Sequence, residues 1–96
     1  MRATNDQTLK EVITDLLKAY RIENKVLAVR LINSWEVVTG KLISKHTTNL
    51  FVKQKTLFVY LDSAALRNEL SYAKKKIIKA LNKEVGVEVI TDIKFS

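Results

Sequence analysis

Residues 50–63, LFVKQKTLFVYLDS, decide the fold of this chain. The stretch contains two runs in which apolar and other residues alternate, a pattern typical of a half-buried pair of strands. The apolar positions are Leu50, Val52, Leu57, Val59 and Leu61. Between the runs, Gln54-Lys55-Thr56 is short enough only for a tight hairpin, although the usual glycine is absent and the turn type stays open.

A long helix and a last strand are predicted after this hairpin. Asp62 or Ser63 can cap the helix, and Gly86 ends it. Its apolar stripe consists of Leu66, Leu70, Ala73, Ile77, Ala80 and Leu81. The last strand alternates through Val87, Val89, Thr91, Ile93 and Phe95. If the strands on either side of the helix pair in parallel, the crossover between them is expected to be right-handed.

Two helices are predicted before the hairpin. Thr8 and Glu11 have the spacing of a capping box, and apolar residues then recur at helical steps as far as Tyr20. A break is predicted around residues 21–23. Asn24 can cap a second helix that ends at Gly40, and a short helical turn over residues 41–45 follows.

This order, α-α-β-β-α-β, predicts an α+β fold with a small three-stranded sheet and helices packed on one face. With 96 residues, 47% of them apolar, we expect one domain over residues 1–96, with residues 1–7 as a flexible N-terminus.

The positive charge is concentrated in one region. Residues 41–83 contain ten Lys or Arg and two acidic residues, a balance of +8, whereas the whole chain has a formal charge of +7. Such a field attracts polyanions, of which nucleic acid is the commonest in a cell. The alternative is a lysine-rich face that only keeps the protein soluble.

The composition argues against other classes of protein. The chain has no cysteine, which fits a reducing compartment, no apolar run at its N-terminus and no apolar stretch long enough to span a membrane. Its single histidine, His46, lacks a partner nearby in sequence and more plausibly braces the turn before the first strand. There is no phosphate-binding glycine motif. We therefore predict a protein that is not an enzyme, without metal, cofactor or small-molecule substrate.

Two surfaces are candidates for nucleic-acid binding. On a helical wheel, Lys75, Lys79 and Lys83 lie opposite the apolar stripe, with Asn68 and Tyr72 between them and Lys76 at the edge. On the strands, the residues that alternate with the core positions are Phe51, Lys53, Lys55, Phe58 and Tyr60. Aromatic rings interleaved with lysines suit base stacking and phosphate pairing. The alternatives are solvated lysines and a sheet face that another element or a second copy covers.

Three valines suggest a different contact. Val26, Val29 and Val37 lie on the side of the second helix away from Leu31 and Trp35, and they are candidates for a protein interface. They could equally pack under the first helix.

Over about residues 31–95, and more loosely in the first helix, the sequence resembles the DciA-like family of bacterial proteins, long known only as a domain of unknown function. The resemblance is carried by residues 34–40, SWEVVTG, by His46-Thr47 and residues 57–63, LFVYLDS, and by Glu69-Leu70, Leu81-Asn82 and the closing residues 90–95. It implies a fold like the KH domain, DNA binding through a basic surface, and recruitment or loading of the replicative helicase in the cytoplasm, at the nucleoid. The Gly-x-x-Gly loop with which KH domains grip nucleic acid is absent.

The leading hypothesis is therefore a DNA-binding accessory of replication, with contacts from the lysines, Arg67 and the aromatic residues. The alternatives are a protein-interaction or self-associating domain that uses the sheet face or the valines, and an RNA-binding module of the KH type.

Overall fold

A computed structural model describes residues 7–96, which form five helices and three strands in an α+β arrangement. The helices are α1 (Leu9–Asn33), α2 (Trp35–Thr39), α3 (Lys41–Lys45), α4 (Ala64–Tyr72) and α5 (Lys74–Val85), and the strands are β1 (Thr47–Lys53), β2 (Thr56–Leu61) and β3 (Asp92–Phe95). The predicted fold class is confirmed. The predicted flexible segment lies outside the described residues except for Gln7, and the single domain stays a prediction.

The predicted hairpin forms β1 and β2, and β2 is the central strand of the sheet. The strand order is β1-β2-β3, with β1 antiparallel to β2 and β2 parallel to β3. Leu57, Val59 and Leu61 are buried on one face of the sheet, under the helices. The hydrophobic core therefore lies between this face and the helices, and the opposite face carries no helix from the described part of the chain.

The hairpin turn is of type I′, although neither of its residues is glycine or asparagine. Gln54 and Lys55 have φ angles of 50° and 61°, and positive φ at both central residues defines this turn. A left-handed conformation costs a residue with a Cβ atom about 1–2 kcal/mol. The twist of the strands thus overrides the local preference of the turn residues.

Relieving this strain should stabilise the protein. Replacing Gln54-Lys55 with Asn-Gly is expected to raise the free energy of unfolding by about 1–2 kcal/mol, because these residues adopt positive φ at lower cost. Urea denaturation would measure the gain. Lys55→Ala removes the same charge without relieving the backbone and serves as the control. An equal urea midpoint for the wild-type and Asn-Gly proteins would show that the turn does not destabilise the protein.

The helix break predicted at residues 21–23 is wrong. The first helix begins at the predicted cap, where the Thr8 hydroxyl accepts a hydrogen bond from the Glu11 amide at 3.1 Å, and then runs unbroken for 25 residues. Arg21, Ile22 and Glu23 continue it because none of them is a helix breaker such as glycine or proline. Asn24 is consequently an interior residue and not a cap.

The helix instead ends at Ser34, between α1 and α2. The Ser34 side chain donates to the Arg30 carbonyl at 2.9 Å, a local bond that competes with the regular helical ladder. Trp35 begins α2 and is buried in the core. Gly40 ends α2 as predicted, with φ 93° and ψ 167°, an extended positive-φ conformation that a residue with a Cβ atom rarely adopts.

The long helix predicted after the hairpin is split in two. Ser63 caps α4 by accepting from the Leu66 amide, and Gly86 ends α5 in the left-handed conformation, both as predicted. At Ala73 the chain leaves helical geometry, next to a bond from the Ser71 hydroxyl to the Asn68 carbonyl at 2.6 Å. The Ala73 amide donates to the Leu70 carbonyl at 3.0 Å, in a tighter turn than the α-helical one, so the helix is interrupted here although no glycine or proline is present.

The last strand is shorter than predicted and includes only residues 92–95. The side chain of Asn82 accepts from the amides of Val89 and Ile90 and donates to the Ile90 carbonyl, at 2.8–3.1 Å. These bonds hold the connection beside α5 and take the backbone groups that a longer strand would have used.

Candidate nucleic-acid interface

The face of the sheet opposite the core carries an aromatic surface, formed by Phe51, Phe58 and Tyr60. Phe51 on β1 pairs with Phe58 on β2, and their ring centroids are 4.8 Å apart with an interplanar angle of 11°. The rings of Phe51 and Tyr60 are 6.0 Å apart at 24°. Phe51 and Tyr60 are 36% and 37% exposed, and Phe58 between them is half-buried. The three rings therefore form one platform that is open to solvent.

A lysine missed by the sequence prediction borders this platform. Lys94 on β3 is the parallel partner of Phe58, and its Nζ atom lies 5.8 Å from the centroid of that ring, within reach of a cation–π interaction. The register thus places Phe51, Phe58 and Lys94 in one row across the sheet. In the sequence, Lys94 follows the predicted core residue Ile93, which indicates that Lys94 lies on the opposite face of the strand. To place Lys94 beside Phe58, the parallel pairing of β2 and β3 must also be known.

Two further lysines lie at the hairpin end of the sheet. Lys53 ends β1, Lys55 is in the turn, and both are exposed. The Lys55 carbonyl accepts from the Thr91 amide at 2.8 Å, which ties the turn to the segment that leads into β3. Lys53 shares the strand face of Phe51 and lies at the edge of the aromatic surface, whereas Lys55 lines a groove with Leu27 and Val52 on the core side of the sheet.

The second candidate surface is the lysine groove, defined by Lys75, Lys79 and Lys83 of α5. All three are exposed and follow one another at four-residue steps. The buried residues Ile77, Leu81 and Val85 have the same spacing but come two positions later, so they lie on the opposite side of the helix from the lysines. They line one side of an open groove of about 610 Å³. The other wall includes Val87, Glu88 and Thr91, in the segment that Asn82 holds beside the helix.

The start of α5 concentrates positive charge. Lys74, Lys75 and Lys76 occupy its first turn, where the helix dipole disfavours cations. Lys74 forms an ion pair with Asp92 at 3.6 Å. Lys75 and Lys76 are exposed, and neither is paired with an acidic side chain within residues 7–96.

Two predicted site residues have a different environment from the one expected. Arg67 is half-buried, and its Nη1 atom donates to the Leu61 carbonyl at 2.9 Å, so this side chain joins α4 to β2. Tyr72 is 83% exposed, but it ends α4 before the break at Ala73. The wheel that placed Asn68 and Tyr72 between the lysines assumed one continuous helix, whereas Ala73 separates α4 from α5, so that placement stays a prediction.

The three valines are exposed, as the interface hypothesis requires. Val26 and Val29 lie on α1, and Val37 lies on α2. The alternative that they pack under a separate first helix is wrong, because residues 9–33 form one helix.

The predicted bracing role of His46 is confirmed. Its Nδ1 atom lies 2.8 Å from an Asp62 carboxylate oxygen, and the Asp62 amide donates to the His46 carbonyl at 3.0 Å. These contacts join the end of α3 to the end of β2. Within residues 7–96, no three His, Cys, Asp or Glu side chains lie together as metal ligands do, and no helix is long and apolar enough to cross a membrane.

Comparison with known proteins identifies the family. Residues 8–95 match the family described as "Dna[CI] antecedent, DciA". A UPF0232 protein of Corynebacterium glutamicum (strain R) is 31% identical over 62 residues, which are 65% of this chain and 35% of that protein. The chain thus matches about a third of the length of this curated relative. Because the family match spans nearly the whole chain, the protein belongs to the DciA family.

Proposed function

We propose that this member of the DciA family is a non-enzymatic DNA-binding accessory of replication that serves the replicative helicase. The family supports a replication-associated role, and the name of the family model refers to helicase-related proteins. The DNA contacts, the helicase as partner and action at the nucleoid are parts of the proposal. The observation that carries it is the pairing of a lysine groove with an aromatic surface in one small protein.

The charge of the lysine groove supports binding to a polyanion. Lys75, Lys79 and Lys83 are exposed on one side of α5, and none of them is paired with an acidic side chain within the described residues. Phosphates that approach this row would release condensed counterions as they pair with the lysines, which favours binding most strongly at low salt.

The first turn of α5 also supports binding to a polyanion, because lysines at a helix N-terminus destabilise the free protein. A cation near a helix N-terminus is unfavourable by about 0.3–1 kcal/mol. The first turn of α5 carries three lysines, of which only Lys74 has an acidic partner within residues 7–96. A bound phosphate would interact favourably with the helix dipole and with Lys75 and Lys76 together. This arrangement gives no benefit to a helix that remains unbound.

The aromatic surface offers contacts to bases, whereas the lysines contact phosphates. Phe51 and Tyr60 present ring area to solvent, and Lys53 and Lys94 stand beside them on the same side of the sheet. Unpaired bases can stack on such rings while neighbouring phosphates pair with the lysines. No arginine-rich recognition helix is present to read base edges, so we expect little sequence specificity.

Neutralising the lysine groove should weaken DNA binding and change its salt dependence. The triple variant Lys75→Gln, Lys79→Gln and Lys83→Gln is expected to bind more weakly, with the slope of log affinity against log salt smaller by up to about 2.7 on duplex DNA. Fluorescence titrations over a salt series, with single-stranded DNA, duplex DNA and RNA, would measure both quantities. Tighter binding to RNA than to DNA would favour the KH-type RNA-binding alternative.

The matched control removes the same charge from another part of the chain. Lys10, Lys18 and Lys25 are exposed on α1, outside the basic region, and their triple glutamine variant should keep most of the affinity. If the α5 variant binds as well as the wild type, or if both variants lose affinity equally, the lysine groove is not the binding site.

A second candidate function is a protein contact through the valines. Val26, Val29 and Val37 are exposed, and apolar side chains grouped on a surface often mark an interface. The valines lie on α1 and α2, whereas the aromatic surface lies on β1 and β2, so a protein partner at the valines is compatible with DNA on the sheet.

A further inference from the structure

The first half of α1 extends beyond the core. The molecule measures 62 × 21 × 20 Å and has a radius of gyration of 17.8 Å, whereas a compact chain of this length has about 12–13 Å. Every residue of α1 up to Val26 is exposed, and Leu27 is the first that is partly buried. Residues 9–24 of α1 therefore project from the core, and this segment is called the arm.

One side of this arm is an apolar stripe. Its members are between 38% and 76% exposed and comprise Leu9, Val12, Ile13, Leu16, Leu17 and Tyr20. At about 100° per residue, Leu9, Leu16 and Tyr20 project within about 20° of Leu27, which packs against the core. The stripe thus continues the face with which α1 packs on its own core, past the point where that core ends.

The size of the stripe is comparable to a small protein interface. Full burial of a leucine-sized side chain removes roughly 100 Å² of apolar surface from water, so these residues can bury on the order of 500 Å² per molecule. Two such surfaces together approach about 1,000 Å², the lower limit for a specific association. A helical segment of this length without packing is marginally stable in water, so an occupant would also stabilise the arm.

The charge of the arm argues against a polyanion as its occupant. Residues 9–24 contain three basic residues, Lys10, Lys18 and Arg21, and three acidic residues, Glu11, Asp15 and Glu23. The arm is neutral although the chain as a whole is strongly basic. It therefore lies outside the field that attracts nucleic acid, and its occupant is recognised by apolar contact.

We propose that the arm binds the arm of a second copy of this chain, antiparallel, in a two-fold symmetric dimer. A two-fold interface needs a surface that complements itself, and an apolar, neutral stripe does so without like charges in contact. Pairing centred between Ile13 and Leu16 would separate the two Tyr20 residues by on the order of 16 Å along the axis. That distance is about two Debye lengths at physiological salt, so repulsion between the two basic regions is largely screened.

Sedimentation velocity over a concentration series tests the dimer. We expect reversible dimers with a dissociation constant in the micromolar range, since an interface of this size is at the weak end of specific contacts. Leu16→Glu should give monomers at all concentrations, because it places a charge at the centre of the stripe. Leu16 is 64% exposed in the monomer, so the variant should keep its circular dichroism spectrum.

Ile22→Glu is the matched control on the same helix. Ile22 is 59% exposed and projects about 140° away from Leu27, so this variant should dimerise like the wild type. A wild-type protein that stays monomeric up to about 100 µM would overturn the proposal. Dimers of the Leu16→Glu variant would also overturn it, and so would a monomeric Ile22→Glu variant, because the interface would then lie elsewhere. The DNA-binding residues are unchanged in both variants, so the result is independent of the proposed function.

Discussion

Trp35→Ala is expected to lower the free energy of unfolding by about 3–5 kcal/mol, the usual cost of removing a large buried aromatic side chain. Trp35 is 2% exposed and belongs to the core cluster between the sheet and the helices. Its Nε1 atom donates to the Thr47 hydroxyl at 3.0 Å, and that hydroxyl donates to the Ile43 carbonyl at 2.7 Å. The ring thus joins α2, α3 and β1, and its loss would leave both a cavity and a broken chain of hydrogen bonds.

A loss of this size is a large part of the total stability of a small protein, so the variant should melt far below the wild type or fail to fold. Trp35→Phe keeps an aromatic ring in the core and so leaves a smaller cavity than alanine, although it also removes the donor to Thr47. It should lie between the wild type and alanine. Val37→Ala, at an exposed position of the same helix, is the control and should change the melting temperature little. A Trp35→Ala protein with an unchanged melting temperature would show that the ring is not an anchor.

The parts of the fold that were predicted correctly depend on short-range signals. The hairpin follows from alternation over residues 50–61, and the caps at Thr8 and Ser63 follow from side chains that bond amides three residues later. Gly86 ends α5 because it adopts the left-handed conformation without a Cβ penalty. Each of these features is determined within a few residues, so a single sequence is sufficient to find them.

The helix boundaries that were wrong depend on competition between nearly equal alternatives. A continuous helix through residues 21–23 and a break at Ala73 both differ from the prediction, although neither place contains glycine or proline. At Ala73 the backbone leaves helical geometry, with φ −102° and ψ 10°, next to the hydroxyl bond made by Ser71. A prediction that relies on glycine and proline as helix breakers cannot detect such a change, because neither residue marks the place.

The candidate site was predictable where it follows the strand period and not where it depends on pairing. Phe51, Phe58 and Tyr60 share a face because residues two apart along a strand do so. Lys94 joins them only through the parallel register of β2 and β3, which a sequence does not specify. Arg67 has the composition of a phosphate ligand, but its bond to the Leu61 carbonyl depends on how α4 packs against β2.

Removing the rings of the aromatic surface should weaken binding to single-stranded DNA by about 1–3 kcal/mol for each base that stacks. Phe51→Ala and Tyr60→Ala are the informative changes, because these two rings are the more exposed ones. Duplex binding should change much less, since paired bases are stacked within the helix and do not offer their faces to the protein. Fluorescence titrations with single-stranded and duplex oligonucleotides of equal length would measure the difference.

The salt dependence distinguishes this effect from that of the lysines. No charge is removed with a ring, so the slope of log affinity against log salt should be unchanged while the affinity falls at every salt concentration. Phe51→Leu is the matched control for folding, because leucine retains apolar packing against Phe58 across the strands but offers no ring to a base. It should unfold close to the wild type and still lose single-strand affinity. If the alanine variants instead bind DNA normally and change self-association, the aromatic surface is a protein interface, and the lysine groove alone would support DNA binding.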